Sequence, residues 1–123
     1  MKPFLLVGFG GFLGAVLRYK LGGFVLHHSE NWRLPLGTLL VNVVGCLVLG
    51  LITGALEKHE VLKPELSLFI ITGVLGGFTT FSAFGFETFY LLKRGDFPIA
   101  LLNILLSVSL CLTAVWIGNK IGK

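Results

Sequence analysis

Apolar residues run in four long stretches, roughly residues 4–26, 34–56, 66–92 and 97–118. About 20 residues of helix cross the hydrocarbon of a bilayer, and every stretch reaches that length. Charges and turn formers collect between them, in His27 to Arg33, Glu57 to Pro64 and Lys93 to Asp96. Pro35, Pro64 and Pro98 stand near the starts of spans, where a missing N–H is tolerated. The pattern predicts an all-α integral membrane protein. It has four transmembrane helices in one domain, residues 1–123, and no soluble part.

Composition agrees. The chain is 54% hydrophobic and 13% charged, with a mean hydropathy of +0.90; a soluble domain carries about 25% charged residues. The first stretch begins with Lys2 as a leader peptide would. It lacks a small-x-small cleavage site and carries Arg18 and Lys20 near its far end, so it reads as a span. The net charge of +4 is spread over loops and ends, and nucleic-acid binding finds no basic cluster to rest on. Cys46 and Cys111 fall mid-span and read as small hydrophobes, with a disulfide between them neither required nor excluded.

Orientation is set by the side that holds more Lys and Arg. Four spans put Lys2, Lys58, Lys63, Lys120 and Lys123 on one side, and Arg18, Lys20, Arg33, Lys93 and Arg94 on or toward the other. The balance leaves two readings: a weak orientation signal, or dual topology with copies paired antiparallel. The second would set each half of a pathway opposite its inverted copy. Gly10/Gly14, Gly50/Gly54 and Gly73/Gly77 each have the small-xxx-small spacing that lets membrane helices approach closely.

Several polar residues lie at membrane depth, where they are expensive. Arg18 either reaches the headgroups or stands as an anchoring charge at an aqueous vestibule. Asn42 must find amide partners, in an interhelical bond or on a polar path. Thr38, Asn42 and Cys46 recur every four residues, as do Asn103, Ser107 and Cys111 in the last span. Two such stripes read as walls of a narrow polar track, unless the hydroxyls bond back to their own helices. Glu87 lacks a partner base, nucleophile or metal cluster, so it is read as a polar contact and the chain as a non-enzyme. His27, His28 and His59 are expected in solvated loops.

The third span holds Gly73-Val-Leu-Gly-Gly-Phe-Thr-Thr-Phe-Ser-Ala-Phe84. Adjacent glycines followed by hydroxyls predict a helix broken near its middle, at Gly76 to Thr79. Broken backbone survives in a membrane only where protein or a polar cavity satisfies it. Carbonyls freed there suit a hard cation such as Na⁺. Six of the eleven phenylalanines lie between residues 69 and 89. Phe69, Phe86 and Phe89 read as packing or lipid-facing, whereas Phe81 and Phe84 flank the break. A ring edge carries partial positive charge. It can steady a small anion without the full charge that would trap it.

Three motifs resemble the bacterial Fluc (CrcB) fluoride channels along the whole chain. They are Gly10-Gly-Phe-Leu-Gly-Ala-Val-Leu-Arg18-Tyr19, Gly37-Thr38-Leu-Leu-Val-Asn42 and Gly76-Gly-Phe-Thr79-Thr-Phe81-Ser82-Ala83-Phe84. The resemblance implies an antiparallel dual-topology homodimer with two pores in the bacterial inner membrane, exporting fluoride passively. It implies an aromatic box of Phe81 and Phe84, pore contacts from Asn42, Thr38, Ser82 and Ser107, and Arg18 near the vestibule. It also implies a structural Na⁺ held by the carbonyls of Gly76 and Thr79. Ala83 stands where the family usually has threonine, and Asn103 where it usually has tyrosine.

The competing transporter class is the small multidrug-resistance exporter, also four-span and dual-topology. Its proton coupling relies on a carboxylate in span one, and span one here has neither Asp nor Glu. A non-conducting accessory subunit would leave the placement of Asn and Phe unexplained.

Overall fold

A computed structural model describes residues 1–59 and 63–123, without the side chain of His59. The expectation of a solvated His59 therefore lies outside the described residues. The elements are α1 (Lys2–His28), α2 (Leu36–His59), α3 (Pro64–Ser67), a π-helical stretch (Leu68–Leu75), α4 (Gly76–Phe78), α5 (Phe81–Lys93) and α6 (Phe97–Gly122). Among the described residues there is no strand. Four helical spans are long and apolar enough to cross a membrane: Lys2–His28, Leu36–Lys58, Pro64–Lys93 and Phe97–Gly122. The chain is a multi-pass membrane protein. His27 and His28, expected in a loop, instead close the last turn of α1 and are exposed.

The spans pack as two parallel pairs running opposite ways. In the first pair, α1 lies along the π-helical stretch and α4. A Cβ on Gly10 would sit 2.9 Å from Gly73 Cα, and one on Gly77 the same distance from Gly11 Cα. In the second pair, α2 lies along α6, with Gly50 against Val115 and Gly118 and Gly54 against Asn119. The small-xxx-small spacing thus brings backbones together at every place it occurs, and dispersion between them replaces a hydrophobic drive that lipid cannot supply. The antiparallel seam between α1 and α2 passes through Gly37, whose Cβ would lie 3.0 Å from the Gly22 carbonyl oxygen.

The glycine pair of the third span also corrects one expectation. Gly76 has helical dihedrals (φ −62°, ψ −36°). Gly76 and Gly77 remain in a helical turn because Gly77 is spent on the approach to α1. The irregular backbone comes two residues later, at Thr79 (φ −81°, ψ 152°) and Thr80 (φ −149°, ψ 117°). At one end of the bundle Arg33 pairs with Asp96, tying the α1–α2 loop to the turn before α6. At the other, Lys123 pairs with Glu57 at 2.7 Å.

Candidate functional site: two grooves around an extended turn

In a continuous helix the N–H of Thr80 would bond the carbonyl of Gly76, and that of Ala83 the carbonyl of Thr79. Neither bond forms. The Thr80 N–H donates to Asn42 Oδ1 at 2.8 Å, and the Ala83 N–H to Thr80 Oγ1 at 3.2 Å. Asn42 Nδ2 in turn donates to the Thr80 carbonyl at 3.0 Å. One carboxamide from α2 therefore satisfies both backbone groups of an extended residue at membrane depth, where each unsatisfied group costs several kcal/mol. Thr80 is the N-cap of α5, a role its hydroxyl suits. Both exchanges release the carbonyls of Gly76 and Thr79 from the helical ladder. The Thr79 hydroxyl bonds back to the Leu75 carbonyl at 2.9 Å, and its methyl fills the space beside Gly45.

Two grooves flank this turn. The first has a volume of about 520 Å³ and is lined by Asn42, Phe81, Phe84 and Ser107, with Gly76 and Thr79 at the turn itself. Cys46 and Cys111 complete its wall on the α2–α6 side. Phe81 and Phe84 have ring centroids 5.3 Å apart, tilted by 42°. Phe81 is 83% exposed on the single chain, so this groove is open on the side where its ring stands.

The second groove, about 540 Å³, is lined by Arg18, Thr38, Ser82, Ala83 and Phe86. Thr80 lines both grooves, so the extended turn is their shared wall. The Thr38 hydroxyl donates to Glu87 Oε1 at 2.6 Å. Glu87 Oε2 is buried without a hydrogen-bond partner among the described residues. Ser82 and Thr80 hydroxyls lie 3.1 Å apart, which keeps a hydroxyl pair beside Ala83 although that position has none of its own.

The structure thus divides the sequence candidates. It brings Asn42, Phe81, Phe84 and Ser107 to one groove and Arg18, Thr38 and Ser82 to the other. The α2 stripe is shared between them, with Thr38 on one side of Thr80 and Asn42 and Cys46 on the other. The α6 stripe is shorter than expected. Asn103 does not join Ser107 and Cys111, because it is buried and donates to Thr88 Oγ1 at 2.9 Å. Thr88 passes the bond to the Phe84 carbonyl at 2.7 Å. Asn103 thereby braces the backbone behind a groove ring instead of lining the groove. Ser109 and Thr113 bond back to their own helix. The residue that sequence reasoning passed over is Thr80. Its signal was present: a threonine directly before an apolar helical run is an N-cap candidate.

A model of the CrcB-like protein family (Camphor Resistance, CrcB) matches residues 5–119. The chain is 42% identical over its full length to a fluoride-specific ion channel FluC of Methylobacillus flagellatus, covering 96% of that protein. It is 45% identical to the fluoride-specific ion channel FluC of Flavobacterium psychrophilum, covering 100% of this chain and 98% of the relative. The counterpart of the same name in Geobacter sulfurreducens is 45% identical, over 96% of this chain and 94% of its own length.

Proposed function

The chain belongs to the CrcB family, and from that membership and its two grooves we propose that it is a fluoride-selective channel. The observation that carries the proposal is the first groove, where neutral donors and aromatic edges converge with no fixed charge. A small anion entering it leaves water and needs replacement donors. A carboxamide has two N–H donors, and Thr80 takes one from Asn42; the other is available to an anion. Ser107 offers a hydroxyl, and Phe81 and Phe84 offer ring edges. Arg18, in the second groove, raises anion concentration at a mouth without binding the ion inside the path. Such contacts release the ion as readily as they take it, as conduction requires.

Direction follows from electrostatics. HF crosses the bilayer as a neutral acid and ionises in a less acidic cytoplasm. The anion is then trapped until a pore opens. An inside-negative potential drives one negative charge outward with about 2.3 kcal/mol per 100 mV. A passive fluoride pore in a bacterial inner membrane therefore exports.

The break of the third span is, in this reading, a cation site as well. The carbonyls of Gly76 and Thr79 are hard oxygen donors without helical partners, and they fit Na⁺ better than a soft metal. Na⁺ bound there would tie the extended turns of two copies together. An antiparallel homodimer also accounts for the open wall beside Phe81. Tags at both termini should be found on both faces of the membrane; labelling of one face alone would sink dual topology.

Purified protein in liposomes should release fluoride far faster than chloride, measured with a fluoride electrode. Release no faster than from protein-free liposomes, or equal passage of chloride, refutes the channel. The same assay with Na⁺ replaced throughout by a large organic cation should lose activity. Unaltered efflux would remove Na⁺ from the account.

A further inference from the structure

Two cysteines stand on the α2–α6 wall of the first groove. Cys46 lies in α2 and Cys111 in α6, both half-buried, and both are free thiols. These helices run parallel with their backbones in glycine contact: Gly50 meets Val115 and Gly54 meets Asn119. The same register places Cys46, one turn before Gly50, opposite Cys111, one turn before Val115. Both line the first groove, beside Phe84 and Ser107.

We propose that Cys46 and Cys111 form a two-sulfur site for a soft, thiophilic cation, and that filling it closes the first groove. Thiolate sulfur selects soft metals such as Cu⁺, and Hg²⁺ or Ag⁺ share that preference. Binding Hg²⁺ would release one proton from each thiol and form two Hg–S bonds, with no electron transfer. The site differs in kind from the carbonyls of Gly76 and Thr79, whose hard oxygens do not compete for such an ion. Two thiols on separate, closely packed helices also bind as a chelate, the second at high effective concentration.

Hg²⁺ is the probe. The purified full chain should bind one Hg²⁺ per chain and release two protons. C46S and C111S should each weaken binding by roughly 10²–10⁴-fold, the gain that a linked second contact supplies. X-ray absorption on the unmodified chain should show two sulfur neighbours around the metal. That measurement decides the matter even if a serine variant fails to fold. A single sulfur neighbour, or equal affinity in the single variants, overturns the site.

Groove closure rests on the channel reading, so it is measured separately. Hg²⁺ that saturates the unmodified chain should stop its fluoride efflux. C46S at the same concentration should keep most of its own untreated rate. Two-sulfur binding with undiminished efflux overturns closure. A chain that binds Hg²⁺ through both sulfurs but never passes fluoride refutes the channel and leaves the metal site standing.

Discussion

Phe81→Ile will reduce fluoride efflux about tenfold or more while the protein still assembles. A factor of ten corresponds to only about 1.4 kcal/mol in the barrier. Isoleucine keeps the apolar bulk and removes the ring edge, so it isolates the quadrupole contribution. Phe81 is 83% exposed on the single chain, so its replacement takes little packing from the fold. A purely structural ring would therefore leave efflux nearly unchanged. Phe89→Ile is the control, since Phe89 is also largely exposed but lines neither groove. The check is the initial rate of fluoride release at matched protein-to-lipid ratio, with cross-linking to count copies. Equal rates for the Phe81 variant and the parent chain would reduce Phe81 to packing.

The four spans were legible because bilayer insertion depends on local quantities: run length, charge content and turn residues between runs. The glycine contacts were legible for a similar reason, since the spacing itself lets backbones meet. The irregular turn was harder to place. Glycine pairs weaken isolated helices, yet Gly76 and Gly77 stay in a helical turn because the close approach to α1 needs the missing side chain of Gly77. Thr80 is extended because Asn42 of a different span accepts from its N–H and donates to its carbonyl, the bonds that the helix gives up. No local pattern encodes that exchange. Asn103 shows the same limit. Its spacing put it on a face with Ser107, but its partner Thr88 lies on another helix, and that contact turned it into the core.

Asn42→Leu will lower both stability and conduction, and the pairing of the two losses is its signature. Leucine fills the space but strands the N–H and the carbonyl of Thr80. Each unsatisfied buried group costs about 1–3 kcal/mol, and no water at that depth repairs it. The turn that releases the Gly76 and Thr79 carbonyls then loses its support, and the shared wall of both grooves moves. Ser107→Ala is the contrast: its hydroxyl faces the first groove, so it should slow efflux with little change in unfolding temperature. Thermal unfolding followed by the fluorescence of Trp32 and Trp116, beside the efflux assay, separates the two. The leucine variant should unfold several degrees lower and conduct almost nothing. An unchanged unfolding temperature with lost efflux would mean that Asn42 serves the anion alone. Unchanged efflux would remove it from the path and refute the assignment of the first groove.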